Sequence, residues 1–252
     1  MDWQLAEIIL LGFCAQLVDG ALGMAYGVIS TSFLLGMGLP PAAASASVHA
    51  AEVFTTGVSG LSHLFQRNVD RQLFIRLAIT GSAGGVLGAY VLTQVPGEVV
   101  KPFITVYLGL MGLFILWRAF RAVRPRRPER HVLPLGLAGG FLDAAGGGGW
   151  GPVVVSTLLA SGAPARTTIG SVNLAEFFVT ASISGTFIAT MGFNYGRIVL
   201  GLIIGGVIAA PLAAYLVTKI PERILMIAVA TVVVALSIRS ILAGLGWNPL
   251  SF

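Results

Sequence analysis

The stretch DAAGGGGWGP, Asp143 to Pro152, decides how this chain folds. It interrupts a long apolar run, between LPLGLAGGFL and VVVSTLLASG. Glycine weakens a helix by about 1 kcal/mol relative to alanine. Four in a row, with an aspartate before and a proline after, therefore mark a break in a buried helix. Pro152 lacks a backbone N–H and suits a first helical turn, so a half-helix is expected to start near Gly151. Its N–H groups and positive dipole end then point to mid-membrane. Backbone at Gly148, Gly149 and Gly151 without side chains lets a small anion approach. The structural alternative is that the glycines only permit close helix packing.

The surroundings of this break are those of a membrane protein. The chain has 252 residues, 56% hydrophobic and 10% charged, with a mean hydropathy of +0.90. A soluble domain carries about 25% charged residues, so this chain cannot cover a water-facing surface of its size. Continuous apolar runs predict helices, since barrel strands alternate polar and apolar. The net charge of +5 does not point to nucleic acid. Arg118, Arg121, Arg124, Arg126, Arg127 and Arg130 fall in one connector, the pattern of a cytoplasmic loop beside anionic headgroups. One cysteine, Cys14, leaves no internal disulfide and no cysteine-only metal site. The N-terminal MDWQLAEIILL has no basic n-region and reads as mature protein.

The break has a counterpart 124 positions earlier, at DGALGMAYG, Asp19 to Gly27. In that frame Asp19 meets Asp143, Gly27 meets Gly151 and Pro40 meets Pro164. Ser47-Val48 meets Ser171-Val172, Ala51-Glu52 meets Ala175-Glu176, Thr56 meets Thr180 and Gly81 meets Gly205. After a one-residue slip Pro96 meets Pro221. Asp, Glu, Pro, Ser and Thr coinciding in one frame indicate two homologous halves, 1–118 and 132–252, joined by the arginine-rich connector 119–131. Paired repeats of this kind build many secondary transporters.

Each half reads as one long first segment and three ordinary spans. The spans run roughly 43–65, 71–93 and 98–118, then 167–190, 196–217 and 222–243. The first segments, 5–37 and 132–162, would reach roughly 45–50 Å as straight helices, against a hydrocarbon core of about 30 Å. Each must either cross once with a kink or re-enter as a hairpin. Hairpins put Arg67, Arg71, Arg166, Lys219 and Arg223 on the side of the connector, and leave Lys101, Arg197 and Arg239 opposite. The positive-inside rule slightly prefers that arrangement. Hairpins also leave an odd number of crossings per half, so the halves would be inverted.

The second helix of each half carries a polar stripe. Ser45, His49, Glu52, Thr56 and His63 recur at helical spacing, as do Asn173, Glu176, Thr180 and Ser184. A carboxylate inside a span should face a cavity or a partner. Glu52 and Glu176 therefore either shape a polar site, with or without proton coupling, or tie helices together. His49 and Asn173 share one repeat position, and both can donate to an oxyanion. Asp19 and Asp143 either cap a helix or sit in the turn. Tyr26 and Trp150 flank the glycines and could wall a pocket. Two-histidine zinc and phosphate-loop motifs are absent, so no metal, cofactor or ATP engine is expected.

The pattern LVDGALGMAYGV with GFLDAAGGGGWGPVVV, followed by SASVHAAEVFTT and GSVNLAEFFVT, resembles the sulfite exporter TauE/SafE family of bacterial membrane transporters. The resemblance spans nearly the whole chain. It implies ATP-independent movement of sulfite, thiosulfate, a sulfonate or a related carboxylate. The first half lacks the full glycine run, and His49 stands where the repeat has asparagine, so two unequal half-sites are expected.

The combined expectation is an all-α polytopic inner-membrane carrier with two inverted repeats, each a glycine-broken, re-entrant or kinked first segment plus three transmembrane helices. Gln16, Tyr26, Gly27, Ser47, His49, Gly148, Gly149, Trp150, Gly151, Ser171 and Asn173 are its candidate substrate contacts. Asp19, Glu52, Asp143 and Glu176 are its coupling or structural acids. Its partners are a small anion, the bilayer, and protons or another coupling ion; the oligomeric state stays open. A passive anion channel or an uptake permease on the same fold are the alternatives, with a membrane enzyme as a distant third.

Overall fold

Prolines, glycines and one aspartate punctuate this chain into helices. The computed structural model describes residues 3–22, 24–120, 131–161, 163–193, 195–216 and 222–245. Connector residues 121–130, with Gly23, Gly162, Asn194, Lys219 and Pro221, lie outside the described residues. The helices are α1 (Trp3–Leu22), α2 (Tyr26–Gly36), α3 (Pro41–Phe65), α4 (Arg71–Gln94), α5 (Gly97–Ala119) and α6 (Val132–Gly146). A π-helical turn, Trp150–Val155, runs into α7 (Ser156–Ala160) and is followed by α8 (Ala165–Met191), α9 (Gly196–Leu216) and α10 (Glu222–Gly244). The fold is all-helical among the described residues.

Local chemistry sets these boundaries. Extended Pro40 precedes Pro41 at the start of α3, and Pro164 and Pro96 do the same for α8 and α5. The Asp70 side chain accepts from Leu73 N at 2.9 Å and caps α4. Gly147, at φ +69°, ends α6 in the left-handed region that glycine adopts without strain. In the first half Ala25 takes that region instead, at φ +97°, where a Cβ is unfavourable. The widened π turn coincides with Pro152, which has no N–H to give to an ordinary helical ladder.

The long first segments fold back instead of crossing. A Cβ on Gly139 would meet Val154 and lie 3.6 Å from Trp150. A helix continued from Gly139 to Val154 would separate them by about 22 Å. In the first half the Tyr26 hydroxyl reaches the Leu202 carbonyl at 3.4 Å. Leu202 also packs on Gly12, more than three turns before Tyr26.

Each hairpin packs on the opposite half. α6 lies along α4 and α1 along α9, so the halves interlock. Glycines bring these backbones together. Gly84 and Gly88 of α4 press on the Leu137 and Phe141 carbonyls, while Gly205 of α9 presses on Ile9 and Phe13. In lipid, where helices gain little from the hydrophobic effect on each other, such contact is the main packing term. The repeat-related helices α3 and α8 cross antiparallel: Gly57 meets Phe177, Gly60 meets Leu174, and His49 faces Phe187. α5 and α10 also run antiparallel, with Gly109 on Ser237 and Gly112 on Val233.

These directions sort the loops onto two faces. One holds the end of α3, the start of α8, the end of α5 and the start of α10. There Arg166 bonds Asn68, and Arg223 lies 4.4 Å over the Phe120 ring. The opposite face gathers Glu98, Lys101 and Arg239 around one pocket. Among the described residues, four helices are long and apolar enough to cross a membrane: α4, α5, and the segments Arg166–Met191 and Met226–Gly244 of α8 and α10. Phe103, Ile79, Leu110 and Val232 stay exposed on their outer surfaces, as lipid contact requires. The chain is a multi-pass membrane protein.

Candidate functional site

The start of α2 packs on the second hairpin turn. Gly27 packs on Gly147 and Gly148, where a Cβ would come within 2.6 Å of the Gly147 carbonyl oxygen. The Thr31 hydroxyl donates to that same oxygen at 2.8 Å. The backbone expected to admit an anion is thus in contact with the other break. Both turns are held by their aspartates. Asp143 Oδ1 accepts from Gly149 N at 2.8 Å and Trp150 N at 3.0 Å. Asp19 Oδ1 accepts from Tyr26 N at 3.2 Å, the repeat-equivalent bond. Of the two roles left open for these acids, each caps the returning arm. The N–H groups of Gly149 and Trp150 are therefore occupied by an internal carboxylate.

The second carboxylate oxygen of Asp143 reaches α3, lying 3.2 Å from His49 Nε2. His49 is fully buried and Asp143 is 3% exposed. His49 Nδ1 sits 2.8 Å from the Ser45 carbonyl and 3.2 Å from the Ser45 hydroxyl. That hydroxyl spends its proton on the Ala144 carbonyl at 2.6 Å. Two side chains of α3, His49 and Ser45, thus hold the turn at two points, Asp143 and Ala144.

Glu52 on α3 lies within the electrostatic field of Asp143, Glu176 and Asp19, and Glu176 on α8 within that of Asp19 and Asp143. Thr56 donates to the Glu52 carbonyl at 2.6 Å, and Thr180 to the Glu176 carbonyl at 2.8 Å. The two halves therefore build matching acid-bearing turns. Four carboxyl groups converging inside a membrane protein are costly, which sets this centre apart from ordinary packing.

The remaining candidates disperse. Trp150 is fully buried, fills the space beside Gly81, and its Nε1 donates to the Val172 carbonyl at 3.3 Å. Tyr26 is 3% exposed and packed likewise. Both aromatics are core side chains here. Asn173, which shares its repeat position with His49, donates to Ser59 at 3.0 Å. Gly149 and Gly151 are buried in the turn. Gln16 lies against Gly206, and its buried Oε1 has no hydrogen-bond partner among the described residues.

Ser47 and Ser171 separate most clearly. Ser171 accepts from Asp70 N at 2.8 Å and so ties α8 to the loop after α3. Arg166 adds its bond to Asn68 beside it. Among the described residues Ser47 bonds only its own helix, at the Ala43 carbonyl. The facing loop, with Gly192, Phe193 and Tyr195, stands off behind a narrow crevice that also reaches Ser184. The crevice widens into an apolar cleft of about 530 Å³ between α3, α8 and α9, bordered by Ala50, Val53, Phe54 and Ala181. The arginine-rich face is closed by contrast: Leu174 packs on Gly60 and Phe177 on Gly57. Leu174 and Phe177 are the repeat partners of Ala50 and Val53. Small residues on one side and large ones on the other make the asymmetry.

Asn68 and Ala144 were absent from the sequence candidates, and Arg166 entered only as a charge. The signal for Arg166 and Asn68 was present: their repeat positions hold Ala42 and Gly192, so one half alone carries a polar latch.

The sulfite exporter TauE/SafE family model matches residues 8–240. The chain is 43% identical over 242 residues to the "Probable membrane transporter protein YtnM" of Bacillus subtilis (strain 168), covering 92% of this chain and 81% of the relative. It is 28% identical over 211 residues to the "Probable membrane transporter protein ORF9" of Sinorhizobium sp, covering 81% of this chain and 74% of that protein. No solved structure matches it. The chain belongs to the TauE/SafE family and is a membrane transporter.

Proposed function

We propose that this TauE/SafE member is a secondary transporter that moves a small anion such as sulfite, thiosulfate or a sulfonate across the inner membrane, without ATP, by alternating access. The observation that carries the reading is the unequal closure of the two ends of the α3–α8 crossing. The Asp70–Ser171 and Asn68–Arg166 contacts seal one face. The crevice at Ser47 and Ser184 lies at the other. The antiparallel crossing of repeat-related helices supports inverted halves, in which exchange of the two end states gives access to each side in turn. The substrate would enter by the cleft and meet Ser47, Ser184 and the polar stripes beyond.

Export is the working direction under this reading. An inside-negative potential drives an anion outward with about 2.3 kcal/mol per charge per 100 mV. Convergence of Asp19, Glu52, Asp143 and Glu176 favours a second reading, uptake coupled to protons. An anion beside four carboxylates is repelled unless protons accompany it.

The test is a thermal-shift screen of the purified protein against sulfite, thiosulfate, sulfonates and carboxylates, followed by flux in proteoliposomes. A binding anion raises the unfolding temperature and shows saturable counterflow. Conductance without saturation would show a channel. Flux driven by an acid exterior, in preference to membrane potential, would show uptake.

A further inference from the structure

We infer that His49 and Asp143 form a single proton-binding site, and that the proton they share fastens the second hairpin turn to α3. His49 Nδ1 has two neighbours, and both must accept from it. The Ser45 carbonyl cannot donate, and the Ser45 hydroxyl gives its proton to the Ala144 carbonyl. Nδ1 therefore carries a hydrogen. In neutral imidazole that leaves a bare lone pair on Nε2, facing Asp143 Oδ2 at 3.2 Å. Two lone pairs at that distance repel. The contact exists because one further proton lies between them, as imidazolium with carboxylate or as imidazole with carboxylic acid.

Loss of that proton breaks the bond and leaves Asp143 bonded only to its own turn, through Gly149 and Trp150. The turn is then held to α3 by Ser45 alone. Among the described residues, Glu52 on α3, Glu176 on α8 and Tyr107 on α5 lie in the field of Asp143, and Asp19 on α1 acts on both glutamates. All except the histidine are acids, so the shared proton also reduces negative charge where an anion must pass. The repeat supplies no second copy. Asn173 occupies the equivalent of His49, cannot take up a proton, and points to Ser59. One such pair per chain gives one proton per conformational cycle. This last link rests on the transport reading above; the proton site itself does not.

The experiment is labelled-imidazole nitrogen NMR on purified, detergent-solubilised protein carrying His63→Gln and His131→Gln, which leaves His49 as the sole histidine of three. The expected spectrum has Nδ1 protonated throughout and an Nε2 signal that shifts in one step with pH. In Asp143→Asn the Nε2 signal is expected to be fixed, because the amide can only donate a proton that it keeps. An Nε2 signal that does not move in the parent, or titrates identically in Asp143→Asn, overturns the proposal. A second readout is the pH profile of [35S]thiosulfate flux, each normalised to its own maximum. A single titration is expected in the parent and a flat profile in His49→Asn; unchanged profiles overturn the coupling. Absence of thiosulfate flux in the parent tells against thiosulfate as the substrate and leaves the proton site to the spectrum.

Discussion

Asp143 Oδ2 lies 3.2 Å from His49 Nε2, while Asp143 Oδ1 holds the N–H groups of Gly149 and Trp150. One side chain thereby fixes the shape of a helix break and its position against α3.

Asp143→Ala should destabilise the protein by about 1–3 kcal/mol, since it strands two buried N–H donors and unpairs His49. Asp143→Asn should cost less, because its carbonyl still accepts from the turn. Thermal unfolding in detergent compares the two. Equal losses would mean that the cap contributes nothing.

Trp150→Ala should act on stability, at about 3–5 kcal/mol for an emptied aromatic site. Trp150 is fully buried against Gly81 and Val172. Its effect on transport should follow the amount of folded protein. A well-folded variant with weakened substrate affinity would instead make Trp150 a pocket wall.

Gly205→Val should separate α1 from α9, because the side chain would overlap the Ile9 carbonyl and the Phe13 nitrogen. Overpacking of this kind costs about 1–3 kcal/mol or more. Gly185→Ala is the control. Nothing lies within 4 Å of its Cβ, so it should be neutral or gain up to about 1 kcal/mol of helix propensity. Expression and unfolding temperature of the two variants separate close contact from composition.

Asp70→Cys with Ser171→Cys, in a Cys14→Ser background, should cross-link the arginine-rich face shut. Oxidation is expected to abolish transport and a reductant to restore it. Full transport by the oxidised protein would show that this face does not open during the cycle.

Ala50→Leu with Val53→Phe gives the open side the residues that close the other. The cleft should fill, the unfolding temperature should rise, and turnover should fall several-fold. Undiminished turnover would remove the cleft from the transport path.

Much of this fold is legible in the chain because it is written in local terms. Pro40, Pro96 and Pro164 start helices wherever they occur, and Gly147 ends one. Apolar runs of one span's length state their own fate. The repeat shows in Asp19 with Asp143 and Glu52 with Glu176, since duplicated positions leave matching residues. Charge alone leaned toward hairpins, and the geometry agrees: Val154 returns to Gly139.

The partners of those residues are another matter. The identity of the anion at the Gly149 and Trp150 N–H groups was open, because a glycine-rich turn suits a substrate and a nearby carboxylate equally. The tertiary structure chose Asp143. His49 met that aspartate across 94 positions, a distance over which spacing carries no information. Leu174 and Phe177 seal one face and Ala50 and Val53 leave the other open only because α3 and α8 cross where they do. Sequence by itself determined where the chain breaks and which residues are polar in the membrane. The crossing of helices decided which of those residues are consumed in holding the breaks and which face is closed, since both depend on contacts between segments far apart along the chain.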